Sequence, residues 1–394
     1  MLTLALFSIL VPAVVALWPV PHTLHTGSGA LKLAHTFAVQ LQAQESPPAD
    51  LLAAISNAES LLKTDSFQRL VVGRASADDK AISHAPELPS LLLSLAPRMT
   101  LRSIADEATL ALESRSESYQ LTVPHDGSQA TLLANSSLGL FRGLSTFTTM
   151  WYASPTQKYI LNAPVQILDE PAFAYRGFSL DTSRNFFPVS DILRTLDAMC
   201  WIKLSVLYWH VVDSQSFPLD VTAFPELSAK GAYSDAEVYS TADVNNIVSY
   251  ANQRGIDVVM ELDSPGHTTG IAFAHPEHIA CANKSPWSQY ASEPPAGQLR
   301  IASNSTLSFA LQMFDSVASN LKGPMMSSGG DEVNLPCWQE DEATVQDLEQ
   351  SGTTIEDALN AFIQAVQAVL TARGKVPLIK SGGWMCLSTR KDRQ

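Results

Sequence analysis

The chain has 394 residues, 46% hydrophobic and 16% charged, and its 25 basic and 39 acidic side chains leave a net charge of −14. This composition excludes a disordered chain and supports a sizeable core. The acidic balance, without any block of Lys or Arg, argues against nucleic acid or an anionic membrane as partner, and four cysteines are too few for a disulfide-scaffolded miniprotein.

Residues 1–16 are apolar apart from Thr3 and Ser8, and end on Val14-Val15-Ala16 ahead of Trp18-Pro19. The run reads as a secretory signal peptide, which places the protein outside the cell, and it is short for a membrane span. Acceptor triplets at Asn135, Asn283 and Asn304 fit a secreted glycoprotein, with Pro286 weakening the second. Between 17 and 168 strand-like and helical stretches mix. Tyr119–Val123 alternates as a strand does, and Leu138–Tyr152 carries apolar residues at helical spacing. The turn signal Asp169-Glu-Pro171 marks a domain boundary, giving an N-terminal α/β domain over 17–168 and a second domain over 169–394.

From Arg176 the pattern turns into a βα rhythm. Strands are expected at Arg176–Thr182, Leu204–Asp213, Ile256–Asp263, Pro324–Ser328 and Val376–Ile379. Helices are expected at Val189–Lys203, Asp243–Arg254, Asn304–Leu321 and Glu356–Ala372. Strands separated by helices of this length pair in parallel. No Gly-rich phosphate fingerprint follows the first strand, and polar residues gather at successive strand C-terminal ends. Both points favour a (β/α)8 TIM-type barrel over a doubly wound sheet.

Those strand ends carry Arg176 and Asp181, then His210 and Asp213, then Glu261, Asp263 and His267, then Asp331-Glu332. Gly329-Gly330 allows a close backbone turn under a ligand, and adjacent acids raise one pKa beside an ionised partner, the pairing that general acid chemistry uses. His267 follows a Ser-Pro-Gly turn, which presents its ring at a strand end. His210, Asp213, His267 and Glu332 are all metal-ligand types. However, neither HExxH nor paired-Cys spacing is present, so no metal or cofactor is assigned, and metal-assisted hydrolysis stands only as a rival reading. Trp201, Trp209 and Trp338 are either sugar-stacking platforms or core.

Four segments, Arg176-Gly-Phe-Ser-Leu-Asp-Thr-Ser-Arg184, Trp209-His-Val-Val-Asp-Ser-Gln-Ser-Phe-Pro218, Glu261-Leu-Asp-Ser-Pro-Gly-His-Thr268 and Gly329-Gly-Asp-Glu-Val333, together resemble the β-N-acetylhexosaminidases of glycoside hydrolase family 20, with the likeness nearest to secreted fungal members. Glu117-Ser-Tyr119 and Phe141-Arg-Gly-Leu144 look like that family's non-catalytic α/β domain, so 169–394 corresponds to its catalytic barrel. The resemblance implies exo-hydrolysis of terminal N-acetylhexosamine residues by a substrate-assisted retaining route, on N-acetylglucosaminide or N-acetylgalactosaminide oligosaccharides and in chitin degradation, without a cofactor. It casts Glu332 as the acid and later the base, and Asp331 as the group that orients the 2-acetamido nucleophile. Asp213 and His267 would form a pair behind Glu332, and Arg176 would hold the sugar hydroxyls. It further implies a Cys281–Cys337 disulfide, whereas Cys200, inside the expected helix Val189–Lys203, reads as a buried free thiol.

The pattern departs from the family in two places. Ser327 stands where the family carries His. Only about five strands are legible, and Lys380-Ser-Gly-Gly-Trp-Met-Cys386 does not continue the family's pattern of later tryptophans. The expectation is a truncated gene product with an incomplete barrel, and the alternative function is an inactive carbohydrate-binding fragment. A homodimer is left open.

Overall fold

The computed structural model describes residues 17–43 and 46–380. The signal-peptide reading and Cys386 lie outside the described residues. The chain divides into two compact units: one runs to Glu107 and from Ser116 to Phe173, the other comprises Ala108–Arg115 and everything from Ala174 onward. Asp169, where the sequence pattern sets the boundary, is the last residue of a strand, and the first unit runs on to Phe173.

In the first unit a mixed sheet contains β1 (Thr23–Gln42), β2 (Glu87–Leu95), β3 (Tyr119–Val123), β4 (Ala130–Ala134) and β5 (Lys158–Asp169), in the order β1-β2-β4-β3-β5. β1 is long enough to pair in parallel with β2 and antiparallel with β5, with register shifts along its length. Helix α1 (Ala49–Thr64) buries Leu51, Ile55 and Leu62, and α2 (Ser137–Thr149) buries Leu138, Leu144 and Phe147 in one core. Ser136 caps α2 by accepting the Gly139 N–H at 2.9 Å, which satisfies an otherwise orphaned donor. The expected strand at Tyr119–Val123 forms with those limits, and the expected helix at Leu138–Tyr152 stops at Thr149.

The second unit holds a five-stranded parallel sheet among the described residues: β6 (Gly177–Asp181), β7 (Val206–Val212), β8 (Asp257–Leu262), β9 (Met325–Ser327) and β10 (Val376–Leu378), in chain order. The helices α3 (Val189–Trp201), α4 (Glu226–Gly231), α5 (Thr241–Asn252), α6 (Asn304–Ala318) and α7 (Ile355–Ala372) fall between these strands. α4 was not legible in the sequence. Each of the longer helices presents one apolar stripe: Ile192 and Leu196 from α3, Phe309 and Phe314 from α6, Phe362 and Val366 from α7. α5 starts with a capping box in which Ser240 and Asp243 satisfy each other's backbone N–H groups. β8 is buried along its whole length, as a central parallel strand requires.

Cys281 and Cys337 are joined in a disulfide with Cα atoms 5.9 Å apart. Cys200, on α3, is only half-buried and takes no part in it. Asn135, Asn283 and Asn304 are all exposed. Among the described residues no helix is long and apolar enough to cross a membrane.

Candidate active site

Parallel registry stacks the chemistry into one layer. Asp181 lies opposite His210, His210 opposite Glu261, and Glu261 opposite Ser327, so four neighbouring strands deliver one residue each at the same height. The loops that follow these strands add Asp213, Asp263, His267 and Asp331-Glu332, at the C-terminal ends where a parallel βα array builds its sites.

These side chains form a line of alternating charge. Glu332 Oε2 lies 3.2 Å from His267 Nε2, and His267 Nδ1 lies 3.2 Å from Asp213 Oδ1. Asp213 Oδ2 lies 2.6 Å from His210 Nε2, and His210 Nδ1 lies 2.6 Å from Glu261 Oε1. Glu261 then meets Lys380 Nζ at 2.7 Å, Ser327 Oγ at 2.7 Å and the Tyr208 hydroxyl. Glu261, Asp213 and His210 are buried, and unpaired buried charges would be prohibitive; alternation gives each an opposite neighbour. Ser327 therefore supports the far end of this line.

The electrostatics follow the pairing. Burial opposes charge on His267, but its hydrogen bond to Asp213 and the nearby Asp213, Asp263 and Asp331 carboxylates outweigh burial and raise it to about 9. His210, buried between Asp213 and Glu261, is raised to about 9 in the same way. Although burial pushes the other way, His210, Lys380 and Tyr208 hold Glu261 down at about 2, and the two histidines hold Asp213 below the usual carboxylate range. The acid that burial holds up is Asp263, pushed to about 7 with help from the charges of Glu261 and Asp331. The Gly-Gly-Asp-Glu pattern points to a raised carboxyl within Asp331-Glu332; the neighbouring strand end contributes a raised carboxyl of its own, Asp263.

Gly329, at φ +64, brings the backbone hard against that acid. A Cβ there would sit 1.8 Å from Asp263 Oδ1, and the next N–H, of Gly330, donates to the same oxygen at 3.0 Å. Glu332 itself takes φ +57, a costly conformation for a residue with a Cβ and one that occurs at functional turns. Asp331 Oδ1 is buried and accepts no hydrogen bond among the described residues.

Arg176 is not at this site. It precedes β6, and its guanidinium donates to the Lys203 carbonyl, at 3.0 Å from Nε and 2.7 Å from Nη2. Arg184, which the sequence pattern did not single out, is at the site. It meets Asp181 at 2.6 Å and Asp213 at 2.9 Å, and also pairs with Glu293. The physical reason is strand length: β6 spans about 3.3 Å per residue, so the two arginines of one motif flank it at opposite ends. Glu293 belongs to an irregular loop, and no periodicity could have flagged it. Trp209 and Trp338 are fully buried, their ring N–H groups spent on Thr182 and the Leu299 carbonyl, so they are core and not stacking platforms. Trp201 is exposed but ends α3, which leads into the N-terminal end of β7.

His210–Glu261–Asp263, Asp213–His267–Glu293 and Asp263–His267–Asp331 each bring three ligand atoms within 4.8 Å of one another. In this structure these carboxylates already pair with Arg184, Lys380 and the imidazoles.

The shifts predict how stability depends on pH. His210 and His267, at about 9 against an ordinary 6.5, contribute stability that is complete below about pH 6.5 and lost as pH rises through 9. Asp263, at about 7 against 3.8, acts in the same direction at lower pH. Glu261 and Asp213 contribute above their ordinary values and lose that contribution only as pH falls toward 2. The melting midpoint should be highest at about pH 4–5 and fall steadily toward pH 9. A midpoint that climbs over that interval in a buffer series would contradict the charge line.

Residues 173–385 match the family model described as glycosyl hydrolase family 20, catalytic domain, and residues 17–150 match one described as beta-acetyl hexosaminidase like. The chain is similar to a beta-hexosaminidase of Arthroderma benhamiae, at 37% identity over 56% of this chain and 36% of that protein. It is also similar to beta-hexosaminidase subunit beta of Homo sapiens, at 36% over 68% of this chain and 47% of the relative. Beta-hexosaminidase 1 of Arabidopsis thaliana is 30% identical over 92% of this chain and 64% of the relative. The chain thus spans from about a third to just under two thirds of these relatives. Among solved structures, the Flavobacterium johnsoniae chitobiase superposes with a TM-score of 0.71 at 24% identity, covering 92% of this chain and 52% of that one. This likeness supports the fold: a TIM-type βα array preceded by a separate α/β unit.

Proposed function

Because this chain belongs to glycosyl hydrolase family 20, we propose that it is a β-N-acetylhexosaminidase, releasing terminal non-reducing N-acetylhexosamine by a retaining, substrate-assisted mechanism. The observation that carries the reading is the Glu332–His267–Asp213 line ending beside Asp331, whose buried Oδ1 has no partner among the described residues. A buried bare carboxylate oxygen calls for a donor, and an acetamido N–H supplies one.

The geometry supports these steps. Glu332, its side chain 45% exposed at the end of the line, protonates the glycosidic oxygen. The acetamido carbonyl oxygen attacks C1, and Asp331 fixes the acetamido group and faces the positive charge that develops on it. Glu332 then takes a proton from the water that opens the oxazolinium. Through its Nε2–H, the His267 imidazolium stabilises the carboxylate that Glu332 becomes after the first transfer. Asp213 fixes the ring through Nδ1. Arg184, not Arg176, serves the sugar hydroxyls with its forked donors. Secretion and glycosylation at Asn135, Asn283 and Asn304 are part of the same reading and rest on the apolar run 1–16 and the exposed acceptor triplets.

The test is hydrolysis of 4-nitrophenyl N-acetyl-β-glucosaminide by the full chain, with a thiazoline mimic of the oxazoline intermediate as inhibitor. Turnover blocked by the mimic supports the enzyme. Binding of the mimic without turnover marks the carbohydrate-binding alternative, and neither binding nor turnover sinks both. Arg184→Ala should raise KM by about 10–100-fold, the worth of one or two charge-assisted hydrogen bonds. Arg176→Ala should lower the melting midpoint and leave KM nearly unchanged. The reverse pattern would return the sugar to Arg176.

A further inference from the structure

Downstream of His267 the chain makes two short 3-10 turns, Thr269–Phe273 and Pro276–His278. The second gathers His275-Pro-Glu-His278, a cluster that shares no residue with the charge line. His275 Nδ1 lies 3.1 Å from Glu277 Oε1, and His278 Nε2 lies 3.9 Å from the same oxygen. The three candidate ligand atoms all fall within 4.8 Å of one another.

The opposite nitrogen of each ring is held by a different element. His275 Nε2 meets Glu226 Oε1 of α4 at 2.8 Å, and His278 Nδ1 meets Thr306 Oγ1 of α6 at 3.0 Å. Glu226 accepts from His275 Nε2, and the Thr306 hydroxyl holds His278 Nδ1, so the remaining nitrogen of each ring, His275 Nδ1 and His278 Nε2, faces Glu277. Phe309 packs against both rings, stacked on His278 with centroids 4.5 Å apart. The donors are therefore oriented in advance, with an outer carboxylate on one histidine, as in metal sites.

We propose that His275, Glu277 and His278 bind a divalent cation, Zn2+, with Glu226 and Thr306 as outer partners and one position left to water. Two imidazoles and a carboxylate suit zinc; calcium and magnesium take oxygen ligands. Tetrahedral bonds of about 2.1 Å place donors roughly 3.4 Å apart, and the observed 3.1 and 3.9 Å separations bracket that value. The ion would replace the hydrogen bond between His275 and Glu277. It would tie α4 and α6 to the segment that runs from His267 to Cys281.

The full chain, stripped with a chelator and dialysed, is titrated with ZnCl2 by calorimetry and with CoCl2 by visible absorption. One saturable equivalent, a tetrahedral-type cobalt band and a raised melting midpoint are expected. Glu277 is exposed, so Glu277→Gln should fold normally and weaken zinc binding at least about tenfold. Glu226→Gln, which does not touch the ion, should weaken it by about 10–100-fold. His267→Gln should leave it unchanged. No saturable binding by the unmodified chain would overturn the proposal, as would binding that survives both Glu277→Gln and Glu226→Gln or disappears with His267→Gln.

Discussion

Glu332→Gln is expected to lower turnover of an aryl N-acetyl-β-glucosaminide by about 10²–10⁴-fold, the usual worth of a positioned general acid–base group. Gln keeps the shape and one hydrogen bond to His267, so the 3.2 Å contact survives in altered form. The amide has no proton to give to a leaving oxygen and cannot take one from water, so both halves of the reaction suffer. Affinity for the thiazoline mimic should stay within a few-fold, because Glu332 contributes to proton transfer more than to ground-state binding. A leaving group of low pKa needs less protonation, so the loss should be smallest for activated aryl glycosides and largest for oligosaccharides. Full turnover by the variant, measured on both substrate types, would remove Glu332 from the chemistry.

Asp331→Asn should cost about 10²–10³-fold on N-acetylglucosaminides, comparable to deleting one preorganised electrostatic partner of a developing charge. The physical point is orientation. Intramolecular attack by the acetamido oxygen requires that group to be held within reach of C1, and small misplacements are costly. Asn also removes the negative charge that faces the oxazolinium. Two controls separate this from general damage. Aryl β-glucosides, which lack the acetamido group, should be poor substrates for both forms and show little further loss, while the thiazoline mimic should bind the variant much more weakly. Equal rates of the unmodified chain on glucoside and N-acetylglucosaminide would instead point to a protein nucleophile.

The most misleading stretch of sequence was the Arg176–Arg184 motif. Both arginines belong to it and both are of the right type, but a five-residue strand separates the end of the sheet that carries chemistry from the end that carries none. Arg176 opens the strand and Arg184 follows it, so in a parallel array, whose sites gather at strand C-terminal ends, only Arg184 can lie at the site. The tryptophans fail for a related reason: an indole that can stack on a sugar can equally fill a core, and only burial tells these apart.

The βα order, the parallel pairing and the cluster of acids and histidines at strand C-termini were legible from sequence alone, because hydrophobic periodicity and helix–strand alternation are local properties. Asp213, His267, Asp331 and Glu332 were legible because Asp213 follows its strand directly and the others lie in the short stretch after a strand's C-terminal end. The pairing of those groups into one alternating line was decided only by tertiary structure. His210 and Glu261 become neighbours through strand registry across 51 residues of chain. Glu293 reaches Arg184 from a loop 109 residues away, and Asp263 carries a raised carboxyl because burial depends on what packs around a group. Charge pairing and desolvation are sums over spatial neighbours, and those neighbours exist only once the strands have been laid side by side.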